Sequence, residues 1–229
     1  YKNMENLKAL TEAVCCVARE AGHFLKEERK SFRREVVQEK HAHDYVSYVD
    51  KASEKKVVSA LRKLLPEAGF IAEEGSAAYS DETYCWVVDP LDGTTNYIHD
   101  NAPYCVSIAL RDKQSLLLGV VYEPCRDECF YAWKGGGAYV NGERLRVSLV
   151  SELKDAFVVT ELPYNFEQYA RTGEHLIHEL YGKVAGIRMN GSAALALCYV
   201  AAGRFDAWLE AFIGKWDFSV AAPVSYTHL

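Results

Sequence analysis

The stretch WVVDPLDGTTN, residues 86–96, decides how this chain is to be read. An apolar run, Trp86 to Val88, ends on two aspartates, Asp89 and Asp92, that flank Pro90, and two hydroxyls, Thr94 and Thr95, follow at once. A carboxylate at the end of a buried strand is costly unless a cation or a good set of hydrogen-bond donors meets it. Three arrangements would meet these two. Asp92 caps a turn beginning at GTTN while Asp89 pairs with a basic residue; one aspartate is a phosphoryl-accepting nucleophile; or both hold a divalent metal ion.

The nucleophile arrangement takes the form Asp-x-Asp-Gly-Thr in phosphatases of the haloacid dehalogenase type. There the two acids share a strand face, whereas Asp89 and Asp92 are three apart and do not share one in that way. Pro90 also removes a backbone donor between them. The metal arrangement needs further oxygen ligands from separate segments, and oxygen-only sets suit Mg2+ or Ca2+ rather than zinc. Glu73 and Glu74 follow the apolar run GFIA (69–72), Asp50 opens a helical pattern, and Asp217 follows Trp216 in GKWDFSVAA (214–222). Singly, Asp50 and Asp217 read as helix caps and the two glutamates as a solvated turn. Together with DPLDGTTN they favour a metal site.

The chain has 229 residues, 49% of them hydrophobic and 25% charged, enough for one large core or two fused halves. Its formal net charge of −6 argues against nucleic acid as a partner, though a bound cation would still admit anionic small molecules. Seven cysteines form no framework; Cys125 and Cys129 lack a second pair, which disfavours zinc, and reduced, buried thiols suit a cytoplasmic protein. No signal peptide is evident and no apolar run approaches the roughly 20 residues of a membrane span, so a soluble protein without a membrane partner is expected. Tyr1 is not an initiator and Met4 is a candidate for one.

Apolar residues at Leu7, Leu10, Val14, Val17, Ala21 and Leu25 predict a helix over 4–26, and Val57, Val58, Leu61, Leu64 and Leu65 predict a second, ended by Pro66 and Gly69. Runs at 84–88, 104–110, 116–122 and 128–133, with turn chemistry at 112–114 and 141–142, predict an antiparallel meander. The GGG at 135–137 lacks the helix and lysine of a nucleotide loop and reads as a turn. Beyond it the pattern alternates: strand 155–162, helix 166–182, strand 184–188, helix 190–203, strand 205–212. The expected fold is a layered α/β sandwich.

On four motifs in order, the sequence resembles the inositol monophosphatase family: AEEGS (72–76), WVVDPLDGTTN (86–96), the block 119–148 from GVVYEPC to RLRVS, and NGSAALALCYVAAGRFDAWLEAFIGKWDFSVAA (190–222). The resemblance runs from residue 4 to about 222. It implies an αβαβα sandwich of mixed, mostly antiparallel sheets, as in the inositol monophosphatase and fructose-1,6-bisphosphatase fold. It implies one domain over 1–229: a metal-binding half (4–150), a C-terminal half (151–222) and an atypical tail (223–229), with the C-terminal part apparently truncated.

The resemblance further implies that Glu73, Asp89, the Leu91 carbonyl, Asp92 and Asp217 hold two or three Mg2+ ions. Glu73 and Thr94, the latter hydrogen-bonded to Asp50, would be catalytic and orient the attacking water. Asp92, Gly93, Thr94, Thr95, Gly191, Ser192, Ala193 and Glu210 would bind the substrate. The implied reaction is hydrolysis of a small phosphate monoester, inositol monophosphate first, by a homodimer; a broader sugar-phosphate or fructose-1,6-bisphosphate phosphatase, or a non-catalytic regulatory protein on the same fold, are the alternatives. Lys40 would stand near the metal waters, and His41, His43 and His99 would stay outside the chemistry.

Overall fold

The computed structural model describes residues 4–33, 38–41, 44–75, 82–162, 166–211 and 224. Its centre is a seven-stranded sheet, ordered β3 (Gly69–Ala72), β4 (Tyr84–Asp92), β5 (Cys105–Asp112), β6 (Leu116–Glu123), β7 (Glu128–Trp133), β8 (Gly137–Val140) and β9 (Glu143–Arg144). Only the β3–β4 pair is parallel; the others are antiparallel, as a meander of short apolar runs requires. The reversals are chemically specified. Asp112 Oδ1 accepts the backbone N–H groups of Gln114 (2.7 Å) and Ser115 (2.6 Å), closing the β5–β6 turn. Asn141 and Gly142 both take positive φ, 48° and 91°, the pairing that a two-residue hairpin between β8 and β9 demands.

Helices α1 (Met4–Arg29) and α2 (Tyr48–Leu64) cover one face of this sheet, burying Val14, Leu25 and Leu61 against Trp86, Val88, Ile108 and Val120. The opposite face meets α5 (Ala193–Ala201), which packs on Val87, Cys105, Val121 and Phe130 and on Val159 and Phe205 beyond them. Because sheets lie on both sides of it, α5 is apolar nearly all round. The second sheet is three-stranded and parallel, ordered β11 (Gly186–Arg188), β10 (Phe157–Glu161), β12 (Ala207–Glu210). Its crossovers run in opposite directions, β10 to β11 through α4 (Phe166–Leu180) and β11 back past β10 to β12 through α5. Right-handed connections therefore place α4 and α5 on opposite faces. The result is the expected αβαβα sandwich.

Several boundaries differ from the sequence expectation, each for a physical reason. Strand β4 does not stop at Val88 but continues to Asp92, because a register break between Asp89 and Asp92 accommodates Pro90. Asp50 does not precede its helix as a cap: α2 begins at Tyr48, Ser47 is the cap, and Asp50 closes a capping box from the third helical position. A short hairpin of β1 (Gln38–His41) and β2 (Asp44–Val46), not expected from the sequence, lies between α1 and α2. Helix α5 is shorter than 190–203 because Ser192 caps it. No helix among the described residues is long and apolar enough to cross a membrane, and all seven cysteines are free.

The α1–sheet contact tolerates no side chain at Gly22, where a Cβ would overlap the ring of fully buried Tyr122. That ring is also anchored through its hydroxyl, which donates to Asp127 (2.8 Å). Gly22→Val is expected to destabilise the protein by about 1–3 kcal/mol in urea unfolding. A variant as stable as the parent would show that α1 does not pack on β6 in this way.

Candidate active site

Three of the expected acidic residues come from the adjoining ends of β3 and β4. Ala72 pairs with Val88, and the Glu73 N–H donates to the Val88 carbonyl (3.2 Å), which sets Glu73 beside Asp89 at the next register position. Alternation then decides the face: Ile71 and Val87 point toward α5, so Glu73 and Asp89 do as well. Asp89 is buried, and its Oδ1 accepts the Leu91 N–H (2.9 Å), bending the strand at Pro90. The Pro90 carbonyl in turn accepts from Ser53 (3.1 Å).

Asp92 lies opposite Cys105 and reaches the N-terminus of α5. Its Oδ2 accepts the Ser192 hydroxyl (2.5 Å) and the Ala194 N–H (2.9 Å), with the Cys105 thiol at 3.8 Å. Burial pushes the Asp92 carboxyl above its usual range, and these donors counter only part of that shift. Hydroxyl, amide and thiol donors meet this acid, and among the described residues no basic side chain does. A buried acid supplied in this way has room for a cation's charge.

Thr94 opens the short helix α3 (Thr94–Ile98) just after Gly93, whose φ of 90° is reserved to glycine and whose Cβ position would stand 3.0 Å from the Pro103 carbonyl. The Thr94 hydroxyl lies 2.9 Å from the Leu91 carbonyl and 3.2 Å from Asp50 Oδ1. Asp50 is buried on α2, where burial raises its pKa while the Ser47 hydroxyl (2.6 Å), the Ser47 N–H (2.8 Å) and Thr94 oppose the rise. Thr95 is exposed.

The facing wall comes from the small sheet and α5. Gly191, Ser192 and Ala193 stand at the start of α5, and Glu210 ends β12 beside Glu161, its register partner at the end of β10. Burial first, then the charges of Glu161 and Asp92, push Glu210 up to about 8 against a smaller opposing pull from Trp208, and among the described residues no hydrogen bond meets its buried Oε2. Burial also raises Glu161, although it accepts two backbone N–H groups.

The donor set suits Mg2+ in kind, since every candidate ligand here is a carboxylate or carbonyl oxygen. Among the described residues, no three acidic, histidine or cysteine side chains gather closely enough to hold an ion by themselves. Mg2+ is ordinarily bound by one or two carboxylates plus water and substrate phosphate, so a closed protein cage is not required. Asp217, His43 and the side chains of Lys40 and His41 lie outside the described residues, and His99 is exposed on the surface. Ser47, Asn96 and Glu161 were not singled out from the sequence as site residues. Ser47 left a local signal, the S-x-x-D capping spacing ahead of an apolar helix, and Asn96 closes the motif of residues 86–96, whereas Glu161 left none.

Glu210 yields a test of this electrostatic picture. A carboxyl whose folded pKa is raised contributes stability below its ordinary pKa of 4.5 and loses it as pH climbs through about 8. With chelator present, Glu210→Gln is expected to be more stable than the parent at about pH 9 and indistinguishable from it near about pH 4. Urea unfolding at both pH values checks this; a less stable variant at high pH would show that the ionised carboxylate has a partner.

Comparison with known proteins agrees with the fold and with the order of the motifs. The model of the inositol monophosphatase family matches residues 6–225. The chain is 40% identical over 203 residues to Nus factor SuhB of Escherichia coli, covering 88% of this chain and 76% of that protein. It is 37% identical over 221 residues to the fructose-1,6-bisphosphatase/inositol-1-monophosphatase of Aquifex aeolicus, covering 96% and 84%. Among solved structures it superposes on the extragenic suppressor protein suhB from Bartonella henselae with a TM-score of 0.89 and 35% identity, covering 96% of this chain and 84% of that one. The inositol monophosphatase from Anabaena superposes with a TM-score of 0.85 and 33% identity, covering 97% and 82%. With a family model spanning nearly the whole chain and the same architecture in its relatives, the chain belongs to the inositol monophosphatase family.

Proposed function

We propose that the chain is a Mg2+-dependent phosphomonoesterase that hydrolyses inositol monophosphate to inositol and phosphate with an activated water. The observation that carries this reading is the meeting of buried acids at one end of β3 and β4 with the Thr94–Asp50 pair beside them. Glu73, Asp89, the Leu91 carbonyl and Asp92, joined by Asp217, would hold two or three ions. When bound, Mg2+ supplies Lewis acidity and lowers the pKa of water.

The chain's own residues do the rest. Asp50, fixed by Ser47, accepts the Thr94 hydroxyl, and the Thr94 oxygen keeps lone pairs for a proton of the attacking water. Glu73 would accept the other proton of that water and set its line of attack. The Gly93 and Thr94 amides would receive phosphate oxygens. On the facing side, Gly191, Ser192, Ala193 and Glu210 would meet the substrate's hydroxyls. Most metal ligands would thus come from the metal-binding half, 4–150, with Asp217 joining them from the C-terminal half, 151–222. Buried polar groups of this kind discriminate strongly against substrates lacking the matching hydroxyls. Homodimerisation and a cytoplasmic location complete the reading, supported by the family resemblance and the free thiols.

Two observations favour other readings. The Aquifex aeolicus relative carries both activities in its name, which favours a broader sugar-phosphate substrate range. Relatives named Nus factor, a name that states no phosphatase activity, keep the non-catalytic regulatory reading as the other alternative. Phosphate release from inositol monophosphate, fructose 1,6-bisphosphate and p-nitrophenyl phosphate, with Mg2+ and with chelator, separates the three. Mg2+-dependent release is expected from inositol monophosphate foremost, with a loss of more than about a hundredfold in Asp89→Asn. Release from none of the three by folded, Mg2+-supplied protein would leave the binding role standing.

A further inference from the structure

We propose that Glu161 is a positioning residue for substrate-hydroxyl recognition, fixing the turn 190–192 from which the chain would read its substrate; this rests on the function proposed above. Glu161 ends β10 in direct register with Glu210 on parallel β12, so both side chains leave the same face of the small sheet at the same end. Glu161 Oε1 accepts the N–H groups of Asn190 (2.5 Å) and Gly191 (2.8 Å).

The turn needs such a clamp. Gly191 takes a φ of 75°, and a Cβ there would fall 2.7 Å from Asn96 Nδ2. Asn96 holds the same turn from the other half of the cleft, its Nδ2 donating to the carbonyls of Asn190 (3.0 Å) and Pro103 (2.7 Å). One short stretch is thus gripped through its N–H groups by the small sheet and through a carbonyl by the DPLDGTTN segment. The next residue, Ser192, donates to Asp92 (2.5 Å) and accepts the Leu195 N–H (3.3 Å), passing the turn's position on to α5.

Removing the Glu161 acceptor hands two part-exposed backbone N–H groups to water and releases the turn on the recognition side. The metal side keeps its own restraints, since β4 pairs with β3 and β5. The effect therefore falls on hydroxyl recognition more than on phosphate chemistry. Glutamine presents the same acceptor oxygen at the same reach, so the geometry survives without the charge.

The test is steady-state kinetics of the parent, E161A and E161Q with Mg2+ on inositol monophosphate and on p-nitrophenyl phosphate, which has no polyol hydroxyls, with thermal midpoints for each protein. E161A is expected to lower the ratio of kcat/KM between the two substrates about tenfold, chiefly through KM for inositol monophosphate. E161Q is expected to restore the parental ratio. Equal losses on both substrates, an unchanged ratio in E161A, or an E161Q that matches E161A would overturn the proposal. A parent protein with no preference for inositol monophosphate would remove the function on which the proposal stands, a failure visible in the parental arm alone.

Discussion

A buried carboxylate, Asp92, ties the end of the large sheet to the start of α5. It belongs to β4 of the large sheet, yet its Oδ2 takes the Ser192 hydroxyl and the Ala194 N–H at the start of α5, across about a hundred residues of sequence. A helix N-terminus favours negative charge, and an acid buried there gains donors it would otherwise lack. The same contact fixes where α5 begins relative to the strand ends. The N-terminal end of α5, with Ser192 and Ala193, takes its position against the end of β4 from that contact.

The surrounding architecture serves to bring acids out of water at one place. Parallel pairing of β3 with β4 sets Glu73 beside Asp89, and the break at Pro90 turns Asp92 toward α5. On the facing wall β10 and β12 end together on Glu161 and Glu210. Carboxylates brought together in this way raise one another's pKa, as Glu210 shows, and the arrangement disfavours itself until positive charge or hydroxyl donors enter.

Much of the fold was legible in the residues because its determinants are local. The meander from β4 to β9 follows from apolar runs punctuated by Asp112 and by Asn141–Gly142, each of which specifies its own turn. The helices were legible from their apolar stripes, and the acidic residues stood out because charge at the end of an apolar run is unusual. The ends of elements were less legible, since β4 crosses a proline only by breaking register. Asn96 closed the quoted motif, but its grip on the turn at 190 was not legible, because that partner lies about 90 positions away. Glu161 was not legible at all: it looks like an ordinary polar residue, and its role arises from partners about 30 positions away.

On the proposed function, acids far apart in the chain would converge to hold hard cations at the ends of β3 and β4. Crystals grown with Mn2+ in place of Mg2+ test it most directly, because anomalous scattering locates the ions independently of any assay. Anomalous peaks bounded by Glu73, Asp89, the Leu91 carbonyl, Asp92 and Asp217 are expected. Mn2+ at full occupancy elsewhere on the protein, with none among those five residues, would contradict it.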